Sequence, residues 1–254
     1  MQTNSTDGVS AARTLLSCGV AAGPIFLLIF AIQMLIHPEF HFARSEPSLL
    51  SIGPLGSIQI ANFVIGGLLI IAGTLGMRRV LRLRKGRFWG PFLLGIFGVA
   101  QVGVGVFVAD PVRSATSMTF HGTMHLIFGG AGFGALMAAC FVFVRTFTSL
   151  GQKPWAIFSA MTGLLFLAAF FRAANASQGT TSIQFFLNLI FVLAWAWISL
   201  ISKQLLGIVR RGNHPKPQPK AGPSEFPQAK SPGGFSATRK SSTSLPFHFA
   251  KPHS

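Results

Sequence analysis

Carboxylates are scarce in this chain. Its 254 residues hold five Asp and Glu against 21 Lys and Arg, and no residue of either charge interrupts its long apolar runs. A proton- or ion-coupled transporter usually carries an ionisable residue near the bilayer midplane or a broken helix there, so transport is only a third reading. Pro24 and Pro91 lie away from the polar ends of their runs. Histidine enters only one run, which excludes a haem held between two facing helices. Cys18 and Cys140 sit on different runs without a CxxC spacing, so neither a disulfide nor a cysteine metal site is expected, and both read as small hydrophobes.

What the chain does have is hydrocarbon. Half its residues are hydrophobic and 10% are charged. Six runs are long enough to cross about 30 Å of bilayer core at 1.5 Å per residue. They are Leu15 to Ile36, Ile58 to Met77, Phe88 to Val108, Phe120 to Val144, Trp155 to Phe171 and Ile183 to Ser202, the fifth being the shortest. The expected fold is an all-α, polytopic membrane bundle of six transmembrane helices. The first run is too long for a signal-peptide core and shows no small-residue cleavage site, so it reads as a permanent anchor.

Basic residues set the expected orientation. The segments on the side of both termini hold 18 of the 21, and the three opposite loops hold Arg44, Arg113 and Arg172. Leaving out the chain beyond Arg211, the balance is still 12 to 3, so both termini are expected in the cytoplasm. The formal charge of +16 lies beside spans and in a tail, where attraction to anionic lipid accounts for it and no nucleic-acid partner is expected. Residues 1–13 read as a polar lead-in, 14–207 as the membrane domain, and 208–254 as a disordered basic tail with eight of the fifteen prolines.

All eight Gln, Asn and His residues within the runs fall in the half that ends on one side: Gln33, Gln59, Asn62, Gln101, His121, His125, Gln184 and Asn188. Polar groups in hydrocarbon need partners, so the spans are expected to converge on a polar pocket open to the outer face. His121 and His125 are four apart, which places them on one helix face about 6 Å apart along the axis. With Asp110 a short turn away, they form a candidate metal group. Zinc needs three or four such ligands, and HxxxH without an internal Glu lacks the general base of the helical zinc proteases. The competing structural reading pairs Asp110 with Arg113 or His121 and uses the amides to bridge helices. Gly130 and Gly134 form a GxxxG pair, for which close helix packing is expected.

Several of these stretches, kept in order, carry a resemblance. They are Cys18 through Pro24, Pro47 through Gly56 running into Gln59, Asn62 and Phe63, then Asp110-Pro111 and His121-Gly122 with His125. Over residues 15–205 the chain resembles a mainly bacterial family of membrane proteins, domain of unknown function 998. The resemblance implies a six-helix domain in a bacterial cytoplasmic membrane and carries no established activity. A fainter likeness, in residue types alone, is to membrane hydrolases that hold zinc with His and Asp. The expectation is an integral membrane protein whose outward pocket binds a lipid headgroup or small molecule through Gln59, Asn62, Asp110, Arg113, His121, His125 and Gln184, without a cofactor. A zinc-dependent hydrolase acting on lipid-like substrates, with His121, His125 and Asp110 as ligands, is the alternative. Whether the chain forms homo-oligomers is left open.

Overall fold

The computed structural model describes residues 3–81, 88–110, 118–174 and 181–212, with side chains described for 8–81, 88–110, 118–172 and 184–211. Six α-helices account for nearly all of it: α1 (Thr3–Ile36), α2 (Gly56–Val80), α3 (Trp89–Val106), α4 (Phe120–Ser149), α5 (Lys153–Ala174) and α6 (Thr181–Gly212). A short 3₁₀ helix, Pro47–Ser51, lies between α1 and α2. Among the described residues there is no strand. All six helices are long and apolar enough to cross a bilayer, and the chain is a multi-pass membrane protein. Helices are the form such a chain must take, because hydrocarbon offers no partner to an unpaired backbone N–H or C=O.

The boundaries differ from those read from hydropathy. The shortest helix is α3, with 18 residues, about 27 Å at 1.5 Å per residue. The fifth has 22, because Lys153 and Pro154 open it and Arg172 closes it. Proline fits a first helical turn, and a cation favours the last. Charge ends a hydropathic run without ending a helix. For the same reason α1 begins at Thr3, within the expected polar lead-in, and α6 continues past Ser202 to Gly212 with Arg210 and Arg211 in its last turn. The chain separates into a unit of Met1–His214 and a unit of Pro215–Ser254. The disorder expected of the tail falls outside the described residues from 213 onward.

The helices follow one another around a ring, each packed on the next, and α6 closes it against α1. The α5–α6 seam is the sparsest of these interfaces. Leu28, Leu35, Leu68, Ile157 and Phe186 are exposed on the outside, as lipid-facing positions should be. The interior is aromatic. Trp195 stacks on Phe26 with ring centroids 3.7 Å apart, and Phe191 and Phe97 meet Trp195 edge-on.

Glycine permits the tightest crossings. A Cβ on Gly73 of α2 would lie 2.8 Å from the Cα of Gly19 on α1, and one on Gly98 of α3 would lie 2.9 Å from the carbonyl oxygen of Gly67 on α2. Side chains at these points would push the backbones apart. The Ser199 hydroxyl of α6 accepts from Gly23 N–H at 2.8 Å and reaches the Gly19 carbonyl at 3.3 Å. It ties α6 to α1 one residue before Pro24, which itself has no N–H to give the helix ladder.

Candidate functional site

The eight polar residues do lie at the end of the bundle that carries the α1–α2 and α3–α4 connections, but they do not line one pocket. Three close on themselves. Gln33 donates to Gln59 Oε1 at 2.6 Å, and Asn62 donates to the same oxygen at 3.3 Å and to the Phe26 carbonyl at 3.1 Å. All three are buried, and their bonds join α1 to α2. Gln59 and Asn62 therefore bridge helices and are absent from the cavity described below.

A second pair holds a loop. Asn188 of α6 donates to the carbonyls of Phe42 at 2.6 Å and Ser45 at 2.9 Å, and Gln184 donates to Asn188 Oδ1 at 3.0 Å. The segment between α1 and the 3₁₀ helix is thereby pinned to α6. This places Glu46, Pro47 and Ser48 over a space between α3, α4, α5 and α6.

Asp110 does local work as well. Its carboxylate accepts from the Thr119 hydroxyl at 2.6 Å and the Thr119 N–H at 3.0 Å, and the same hydroxyl accepts from Gly122 N–H to cap α4. The expected partner Arg113 lies outside the described residues. The two Thr119 bonds hold the Asp110 pKa below its ordinary 3.8, with a smaller contribution from His121 and His125. Gly122 leaves the room this needs, since a Cβ there would collide with the carboxylate.

His121 and His125 share a helix but part company. His121 is exposed, its ring 5.6 Å from that of Phe107. His125 is buried, with Nδ1 2.7 Å from the Phe107 carbonyl at the end of α3, where the helix leaves its last carbonyls unpaired. A carbonyl only accepts, so Nδ1 carries a proton, and in the neutral ring Nε2 keeps its lone pair. That is the posture of a metal-binding histidine too. Among the described residues, however, no three of His, Cys, Asp and Glu are grouped to hold a metal ion. Cys18 and Cys140 are free thiols.

The cavity itself measures about 540 Å³, within the ~300–1,000 Å³ of small-molecule sites. Among the described residues its walls are mainly Phe133, Met137, Phe166, Phe170 and Phe191, with Ser48, His125, Gln101, Gln184 and Asn188 as polar members and Glu46 at its edge. Gln101 of α3 is 3% exposed, and its Nε2 has no hydrogen-bond partner. The fourth wall is glycine. Gly129, Gly130 and Gly134 line the space, and a Cβ on any of them would meet nothing within 4 Å. The GxxxG pair expected to pack helices thus faces an opening, while Gly132, on another side of α4, meets Ala100.

Of the residues expected at a site, His125 and Gln184 reach this cavity, whereas Gln59, Asn62, Asp110 and His121 do not. Gln101 and Asn188 belong with them and stood among the eight polar positions. Pro47 and Ser48, in the stretch that carried the resemblance, line it too. The glycines and Phe residues had no signal separating them from ordinary span residues.

A family model described as a protein of unknown function (DUF998) matches residues 20–203, and the chain belongs to that family. No curated protein and no solved structure matches it. Helices α2 to α5 fall wholly within the matched region, as do the described residues that line the cavity.

Proposed function

We propose that this protein binds an amphiphilic molecule of the membrane in the cavity between α3, α4, α5 and α6. Its polar end would sit near Gln101 and His125, and its apolar end among Phe133, Phe166 and Phe191. The observation that carries this is the combination of three α4 glycines bordering open space with a buried amide donor left unpaired beside it. Gly130 and Gly134 are exposed, so the space opens to the side of the bundle, and three positions without a side chain let an apolar chain lie close against the α4 backbone. Buried polar groups without partners are uncommon.

In this proposal the polar end of the site faces outward. The support is the charge asymmetry: Arg78, Arg79, Lys153, Arg210 and Arg211 mark the opposite helix ends. A cysteine at Ser48, in a chain with Cys18 and Cys140 replaced, should react with an impermeant maleimide added to intact cells. Protection there, with labelling only after lysis, would reverse the orientation.

Occupancy is tested by native mass spectrometry of the purified protein beside a Gly130→Phe, Gly134→Phe double variant that elutes as a single species. One retained amphiphile per chain, lost in the double variant, is expected. Equal retention in both would sink the proposal. Zinc hydrolysis remains the competing chemistry on the strength of the free His125 Nε2. Chelator treatment separates the two, since amphiphile binding should survive it and a zinc site should lose one metal per chain.

A further inference from the structure

We propose that the occupant of the cavity is a lipid of the surrounding leaflet, which enters upright and from the side through a gap between α4 and α5. This rests on the cavity being the binding site proposed above and adds the source of its ligand. The two helices start in contact. Beside their hairpin the rings of Phe147 and Trp155 lie 6.1 Å apart, and further on a Cβ at Gly163 of α5 would lie 3.0 Å from the Phe141 ring and 3.1 Å from the Cys140 Cβ of α4. Gly134 stands about two turns before Phe141 and so shares its side of α4. There the neighbour is gone. Gly134 and Gly130 are exposed, and a Cβ on either would meet nothing within 4 Å. The helices therefore part like the arms of a V, closed at Gly163 and open toward the α1–α2 end of the bundle.

The gap leads into the cavity. Leu126 of α4 and Phe170 of α5 are both more than half exposed and both line it. Ile127 and Ala131, beside Leu126 and Gly130 on α4, are exposed but lie outside the lining, so the cavity wall runs on into the lipid-facing surface. Toward α6 the arrangement differs. Ala169, Leu187 and Ile190 border this cavity on one side and a smaller one of about 280 Å³ on the other, so side chains stand across that seam.

The polarity of the cavity matches the leaflet it opens to. Ser48, His125, Gln184 and Asn188 lie toward the α1–α2 end, and Met137 and Phe191 lie deeper. From His125 to Met137 the axis of α4 rises roughly 18 Å, close to one leaflet's share of a ~30 Å hydrocarbon core. A lipid standing in that leaflet has its head at the same end and its chain directed to the midplane. It slides in without turning over, and its head never has to cross hydrocarbon. A solute arriving from water would instead meet Glu46, Pro47 and Ser48, whose segment Asn188 ties down through the Phe42 and Ser45 carbonyls at 2.6 and 2.9 Å.

The test separates route from site. The full chain is reconstituted in phosphatidylcholine vesicles, a diazirine-bearing lysophosphatidylcholine that partitions into the bilayer is added, and samples are photolysed at intervals. Labelling at Phe191, which is buried, is followed by mass spectrometry of its peptide. Its plateau reports the site, and the approach to that plateau reports the route. With larger side chains on both rims, Leu126→Trp, Phe170→Trp should load about tenfold more slowly and reach the parent's plateau. Ser48→Trp, which crowds the water side, and Leu165→Trp, Phe186→Trp, which crowds the α5–α6 seam, should load as the parent does.

Slow loading in either of these, with the rim variant unchanged, would overturn the route and leave the binding site standing. Equal rates in all four proteins would do the same. If the rim variant lost plateau as well as rate, Leu126 and Phe170 would hold the ligand instead of admitting it, and the route would fall. No labelling of Phe191 in the parent at any time would remove the site and the route together.

Discussion

The two halves of the helix ring use one residue type to opposite ends. In the half formed by α1, α2 and α3, glycines bring backbones together: Gly19 meets Gly73, and Gly67 meets Gly98. In the half formed by α4, α5 and α6, Gly129, Gly130 and Gly134 meet nothing, and a cavity occupies the space. The amides divide by what they line. Gln33, Gln59 and Asn62 bond to one another and to α1, with Gln59 Nε2 left unpaired, whereas Gln101 of α3 lines the cavity and makes no hydrogen bond through its Nε2. Glycine spacing therefore says only that no side chain stands there. The neighbouring helix decides whether the gap becomes an interface or a chamber.

The largest expected effect breaks this contrast directly. Gly67→Leu forces atoms into the Gly98 carbonyl, and overpacking of this kind typically costs ~1–3 kcal/mol, with more to be expected where the obstacle is backbone. Gly130→Ala meets no atom and gains helix propensity, so it should hold or raise stability by at most ~1 kcal/mol. Thermal unfolding of both in one detergent measures the difference. A Gly130→Ala protein as damaged as Gly67→Leu would mean that α4 is packed after all.

A smaller effect separates the amides. Asn62→Leu removes one hydrogen bond from α2 to α1 and one within α2, and interhelical bonds in membranes are worth ~0.6 kcal/mol on average and up to ~1.7. Gln101→Leu breaks no bond within the protein, so it should unfold at or above the parent's temperature while losing its ligand. The pair forms a crossed test, with stability falling in one variant and binding in the other. A stability loss in Gln101→Leu matching that of Asn62→Leu would move Gln101 into the structural group.

Much of this was legible before any coordinates. The absence of charge in six runs is enough to specify a bundle of helices, since hydrocarbon admits little else. The one-sided set of eight Gln, Asn and His residues correctly marks the end of the bundle where polar groups gather. Their division into bridges, loop ties and cavity lining was not legible, and the reason is chemical. The deciding partners are backbone carbonyls, of Phe26, Phe42, Ser45 and Phe107, which every residue type carries alike. His121 and His125 share a helix face by spacing, yet only His125 finds an unpaired carbonyl at the end of α3. Hydropathy likewise misplaced the ends of α1, α5 and α6, because charged residues at a helix end extend the helix while stopping the apolar run.

The smallest expected effect lies at the connection between the halves, where Asp110 ends the α3 side and Thr119 begins α4. A carboxylate whose folded pKa is lowered contributes stability that is complete above the unfolded value, near 3.8 here, and is lost only as pH falls on through the lowered one. Neutral and mildly acidic conditions should therefore leave the α3–α4 connection unchanged, and opening should appear only below about pH 4. Because Asp110 is solvated, opening should be confined to the connection while the bundle remains intact. Limited proteolysis by pepsin across this range measures it, with Asp110→Asn cut at the connection at every pH. The variant keeps one acceptor for the Thr119 N–H but loses the charge, so Thr119→Ala, which also removes the cap on Gly122, should be cut faster still. Equal cutting of both variants and the parent at pH 5 would mean that the halves are joined by the buried α3–α4 contacts alone, and that the carboxylate only decorates the turn.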